Sequence, residues 1–168
     1  MKDNYFIGIY WGVRKKTIDE CANKVEETFD FLYRIDSSFA EWYKTTRPRR
    51  GELVNPLEIR SIAGIEKILL EGRNYNDLGE GLDDLGYSIY IKSNTDFSKA
   101  HVLSIRCGCY NEFASNCVAL NIGRAGVYNH LRNMLFVKKI YKELVEIWRP
   151  DSGVIRCDDV DVFLEKFT

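Results

Sequence analysis

Apolar residues recur along the chain in two distinct rhythms. Tyr5 to Trp11 is a continuous aromatic and β-branched run broken only by Gly8, which predicts a strand buried on both faces and turned at Gly12. From Ile18 the apolar positions Cys21, Val25, Phe29, Leu32, Ile35 and Phe39 fall three or four apart, predicting a helix of about five turns. Thr17 and Glu20 have capping-box spacing at its start. The chain turns polar from Trp42 to Asn55, around Arg47, Pro48, Arg49, Arg50 and Gly51. Helix is expected to restart at Asn55-Pro56-Leu57-Glu58, with Asn55 as cap, and to carry Ile62, Ile65 and Leu69 on one face before a left-handed stop at Gly72. Arg73 to Asp84 reads as a long loop. Three strands follow, Tyr87 to Lys92, Val102 to Cys107 and Asn116 to Ile122, joined by connectors short enough for an antiparallel meander. Helical spacing returns from Val127 through Leu131, Met134, Val137, Tyr141, Leu144 and Trp148, and Pro150 with Gly153 ends it. Val154 to Cys157 predicts a last strand, while Val160 to Phe167 fits strand or helix.

The order β-α-α-β-β-β-α-β predicts an α+β fold in one domain over residues 1–168, a single mixed or mainly antiparallel sheet packed against helices. No internal repeat and no domain linker interrupts it. At 168 residues with 45% apolar and 13% aromatic content, the chain has enough material for a full core. Net charge is -1, from 24 Lys+Arg against 25 Asp+Glu, so no global charge draws it to nucleic acid or an anionic membrane. Five cysteines, an odd number, and an N-terminus without a secretory pattern lead to the expectation of a reduced cytoplasm. No apolar run approaches the roughly 20 residues of a membrane span.

Candidate chemistry is sparse. Cys107-Gly-Cys109 lies near His101 and Cys117, but one C-x-C is not the paired-knuckle spacing of structural zinc, so buried thiols are expected. His101 and His130, the only histidines, belong to no nucleophile-base motif; His130 is placed early in a helix and His101 near a sheet edge. The glycines of Gly79-Glu-Gly81 and Gly123-Arg-Ala-Gly126 match no complete phosphate-binding fingerprint and read as turns. No catalytic residue, metal or cofactor is expected. Charge segregation is the stronger signal: between Glu71 and Asp84 five carboxylates face the single Arg73, a basic helix face follows Arg124, and an acidic tail runs from Asp158 to Glu165. Of the large aromatics, Trp11 and Trp148 are expected in the core, whereas Trp42 and Tyr43 fit core or surface equally.

An ordered set of short motifs resembles one family. Tyr5-Phe-Ile-Gly-Ile-Tyr-Trp-Gly12 is followed by Glu20-Cys-Ala22, Ile35-Asp36, Trp42-Tyr43, Gly72-Arg-Asn74 with Asp77, Leu85-Gly-Tyr-Ser88, Cys107-Gly-Cys-Tyr110, Asn116 with Val118-Ala-Leu120, and Trp148-Arg-Pro150. Across nearly the whole chain this is similar to the Immunity protein 52 family of bacterial polymorphic-toxin systems. The resemblance implies a cytoplasmic protein, not an enzyme, that binds and neutralises a cognate toxin delivered by type VI secretion or contact-dependent inhibition, the toxin being a nuclease of restriction-endonuclease type. No direct nucleic-acid or membrane partner is implied, and the oligomeric state is left open. The family brings no interface motif. From charge and chemistry, Asp77, Glu80, Asp83 and Asp84 are candidates to mimic phosphate towards a basic cleft, with Trp42 and Tyr43 as candidate aromatic anchors. Two other readings compete: a small enzyme acting on a nucleotide or metabolite through His101 and Cys107, and an adaptor subunit of a secretion apparatus.

Overall fold

A computed structural model describes residues 4–168. Seven strands and three helices run β1 (Tyr5–Trp11), α1 (Ile18–Ile35), β2 (Tyr43–Lys44), α2 (Ile62–Glu71), β3 (Tyr87–Lys92), β4 (Val102–Cys107), β5 (Asn116–Asn121), α3 (Met134–Trp148), β6 (Ser152–Cys157) and β7 (Val160–Lys166). The strands form one sheet in the order β2-β3-β4-β5-β1-β6-β7, with every neighbouring pair antiparallel. The α+β class and the β3-β4-β5 meander are as the sequence predicts. The N-terminal strand lies inside the sheet, between β5 and β6.

Cross-strand register explains the core. Ile91, Leu103, Leu120, Ile7 and Ile155 form one row across five strands, and Ile89, Ile105, Val118 and Ile9 form the next. All nine are buried, in the same cluster as Val25, Phe29 and Leu32 of α1, Ile65 and Leu69 of α2, and Val137, Ile140 and Leu144 of α3. The helices therefore cover one face of the sheet. In β1 only Tyr5, Ile7, Ile9 and Trp11 point into that core; the Phe6 and Tyr10 side chains are half-buried on the opposite face, which corrects the expectation of a strand buried on both faces. An uninterrupted apolar run reads the same whether its second face is covered by helices or by its own aromatic rings.

The capping box at α1 forms as predicted: Thr17 Oγ1 accepts from the Glu20 amide at 3.2 Å, and Glu20 Oε2 accepts from the Thr17 amide at 2.8 Å. The helix stops at Ile35, and Phe39 reaches the core from a short 3-10 turn over Ser37–Phe39. Other boundaries shift. Helix does not restart at Asn55: the Leu57 amide donates to the Trp42 carbonyl at 2.7 Å, Ile59 is buried, and Ser61 caps α2 by accepting from the Gly64 amide at 3.1 Å. Gly72 does end α2, but at φ -86°, outside the left-handed region. Its glycine is needed because a Cβ would run into the Ser88 carbonyl, where the helix end packs on β3. Likewise α3 begins at Met134 with Asn133 as its cap, so His130 lies in the preceding turn and not in a helix. Val160–Lys166 resolves as an edge strand.

Candidate functional site

Asn76 organises the acidic loop. Its side-chain oxygen accepts from the amides of Leu78 (3.0 Å) and Glu80 (2.9 Å), while its side-chain nitrogen donates to Glu80 Oε2 at 2.9 Å. Backbone pairing of Asn76 with Glu80 and a left-handed Gly79 (φ 78°) complete a small turn with Asp77 and Leu78 at its tip. Glu80 is exposed beside them. Asp83 and Asp84 differ from those two. Asp83 forms an ion pair with Arg73, which brings the two ends of the loop together. Asp84 Oδ2 accepts from the Asn111 side chain at 2.6 Å, and its carbonyl accepts from the amides of Tyr110 and Asn111, so the loop is fastened to the β4-β5 connection. Glu71 pairs with Lys44 at 2.9 Å. The outward charge thus comes chiefly from Asp77 and Glu80, on a loop held at both ends.

The two candidate aromatics separate. Trp42 is wholly enclosed, its indole nitrogen donating to the Phe39 carbonyl at 3.0 Å and its ring packed among Phe29 and Phe39. It has no surface to offer a partner. Tyr43 lies on the two-residue edge strand β2 opposite Lys92, its hydroxyl donating to Glu41 at 2.8 Å, which raises its pKa above the ordinary phenol value. Sequence reasoning missed two exposed apolar groups, one on the acidic turn and one on the connection that fastens its loop. Leu78 is 83% exposed and Phe113, in the connection that holds Asp84, is 90% exposed. The Asn-x-x-Gly spacing of Asn76 and Gly79 was the available signal that the turn between them would present its side chains outward.

His101 and Cys107 bracket β4, about 20 Å apart by the rise of a strand, too far for a nucleophile and its base. Cys107 is buried beside Cys21, whose hydrogen bond together with burial pushes the Cys107 thiol well up. Cys109 lies in the following loop and Cys117 on the other face of the sheet. Among the described residues no three Cys, His, Asp or Glu side chains cluster as metal ligands would. His101 is fully buried, not at a sheet edge. Its Nδ1 accepts from the Gly123 amide at 2.8 Å, which leaves Nε2 to donate to Ser38 Oγ at 2.9 Å. Burial lowers its pKa to about 4. The Gly123 amide is thereby occupied in the core. Trp11 and Trp148 stack with ring centres 5.3 Å apart, and the Trp148 indole donates to Thr28 Oγ1, so both are core residues as expected.

No described helix is long and apolar enough to cross a membrane. Among curated proteins none matches the chain. Among solved structures, a Pseudomonas aeruginosa T6SS protein shares the fold at a TM-score of 0.56 and 10% identity, covering 92% of this chain; the chain spans only 40% of that protein. A family model matches residues 3–165, and on that match, which takes in the fastened acidic loop and the whole sheet but for the last residue of β7, the chain belongs to the Immunity protein 52 family.

Proposed function

We propose that this protein neutralises a cognate antibacterial toxin in the cytoplasm by stoichiometric binding, and that the toxin is a nuclease of restriction-endonuclease type delivered by type VI secretion or by contact. The family match across nearly the whole chain is the observation that carries the reading. The surface chemistry agrees with it. A nuclease cleft gathers cations to hold phosphate, and carboxylates on a loop fastened at both ends present the opposite charge with little ordering cost on binding. Asp77 and Glu80 supply the exposed charge, Leu78 and Phe113 the apolar contact area. Asp83 and Asp84 hold the loop in place.

Co-expression with a nuclease-type toxin whose gene adjoins this protein's should restore growth; no rescue would overturn the assignment. Asp77→Lys with Glu80→Lys, which spares both fastening points, should weaken toxin binding about a hundredfold if the loop lies at the interface. Unchanged affinity in a variant that melts like the wild type would remove the loop from the interface.

A further inference from the structure

No described helix packs on the other face of the sheet; Phe97, from the β3-β4 connection, reaches over its Lys92 corner. Register places Tyr90, Ser104, Ala119, Gly8, Val154 and Leu164 side by side across six strands, a strip about 24 Å wide at the usual strand spacing without a single charge. At its centre a Cβ on Gly8 would lie 2.8 Å from the Phe6 ring and strike the Tyr10 ring as well, so these two aromatics close over the glycine and form the floor of the strip. The rows on either side carry the charges. Arg106 and Lys166 stand in one, Lys92 and Arg156 in the other. The only carboxylate in the three rows is Asp161, and Arg156 Nε donates to it at 2.6 Å. Tyr90 and Leu164, at the two ends of the strip, are 57% and 64% exposed; between them Ser104 and Ala119 are half-buried and Gly8 and Val154 are buried, so the half-buried Phe6 and Tyr10 rings supply much of the central surface.

An uncharged centre within a charged rim is the anatomy of a protein interface. We infer that this face is a docking surface for a protein with an apolar centre and a carboxylate rim, and, resting on the immunity reading above, that the occupant is the toxin. A second copy of the chain would bring Lys92, Arg106 and Lys166 against the same three cations, Arg156 being already paired with Asp161. Single-stranded nucleic acid calls for cations that track a backbone through the aromatic platform, whereas here the cations lie outside it. The acidic loop starts at the same end of β3, where the Ser88 amide donates to the Gly72 carbonyl, so loop and face are neighbours. Together they would meet a partner with carboxylates beside cations, as in a nuclease where metal-holding carboxylates border phosphate-holding side chains.

The test uses the full chain and the toxin domain from which it rescues cells in co-expression, with affinity measured by calorimetry at two salt concentrations. Ala119→Arg places a cation in the middle of the strip on a solvent-facing position, and Lys92→Glu with Arg106→Glu inverts the rim. Each should weaken binding about tenfold or more while melting within a few degrees of wild type, and the rim variant should also lose salt dependence. Radical footprinting should protect Tyr10 and Tyr90 in the complex. Wild-type affinity in Ala119→Arg, with Asp77→Lys and Glu80→Lys still impaired, would overturn the face and leave the immunity reading standing. Failure of the wild-type chain to bind the toxin would overturn both. Binding of a labelled single-stranded oligonucleotide that Ala119→Arg does not weaken, or a dimer that Ala119→Arg dissociates, would replace the inference with another occupant.

Discussion

His101 is a buried ring with both nitrogens committed. Because the Gly123 amide points at Nδ1, protonation there would set two N–H groups against each other, and burial disfavours the cation further. In the unfolded chain the ring titrates near 6.5. The unfolded state therefore takes up a proton that the folded state refuses, so stability is complete above about 6.5 and falls as pH drops towards about 4, by on the order of 3 kcal/mol. Denaturant unfolding at pH 7 and pH 4.5 should show this loss, and His101→Gln should reduce its pH dependence while lowering stability at both. Nearby, Asp36 has a pKa below the ordinary carboxylate value: burial pushes it up, but hydrogen bonds from Ser38 and His130 outweigh burial. Both histidines thus hold the turn after α1, a role that neither a helix position nor a sheet edge would have suggested. Trp42 belongs to the same turn through its bond to Phe39. Trp42→Ala should cost about 3–5 kcal/mol in chemical denaturation, the cost of a large cavity, and not act as an interface truncation. The sequence left Trp42 open between core and surface because a single aromatic after a helix carries no periodicity to orient it.

Helix starts show how local signals succeed and compete. Thr17 and Glu20 satisfy each other's amides within four residues, so the pattern suffices wherever the fold places it. Thr17→Ala should destabilise the protein by about 1 kcal/mol, read as a lower urea midpoint at unchanged slope. Before α2 two caps were available, Asn55 and Ser61. The Trp42 carbonyl settles between them by drawing the Leu57 amide into an extended path, a contact between residues 15 apart in the chain that no short window contains. The same holds at α3. Val127 is in register with the later helix yet 73% exposed, because Arg132 donates to the Arg124 carbonyl and the Asn129 side chain and closes the 124–132 segment into turns. For β7, alternation alone left strand and helix equal; pairing of Leu164 with Val154 and of Phe163 with Ile155 selects the strand.

At the scale of the whole molecule, one cluster of buried residues draws on all three helices and on β1, β3, β4, β5 and β6. With Trp11, Trp42 and Trp148 all in that cluster, tryptophan fluorescence and far-ultraviolet circular dichroism should report a single coincident denaturation; separate midpoints would show that part of the sheet unfolds alone. The near-zero net charge conceals arrangement. Acidic side chains are gathered at the turn around Asp77 and Glu80, while cations border an uncharged strip on the sheet face opposite the helices. In the acidic tail Asp161 is offset by its ion pair with Arg156, while Glu165 keeps its charge and accepts a hydrogen bond from the Tyr141 hydroxyl.

By itself the sequence determined the strands of the meander, the start of α1, the apolar stripes and the α+β class, because each is written in spacings of two to four residues that act within one element. Motif order along the chain also carried the family. Tertiary structure alone decided that β1 enters between β5 and β6, that Trp42 is enclosed, that Asp83 and Asp84 fasten the acidic loop while Asp77 and Glu80 face outward, and that all three helices pack on one face of the sheet. Those outcomes depend on pairing between residues far apart in the chain, such as Phe6 with Asn121 and Arg156, whose free energy is realised only when the sheet closes.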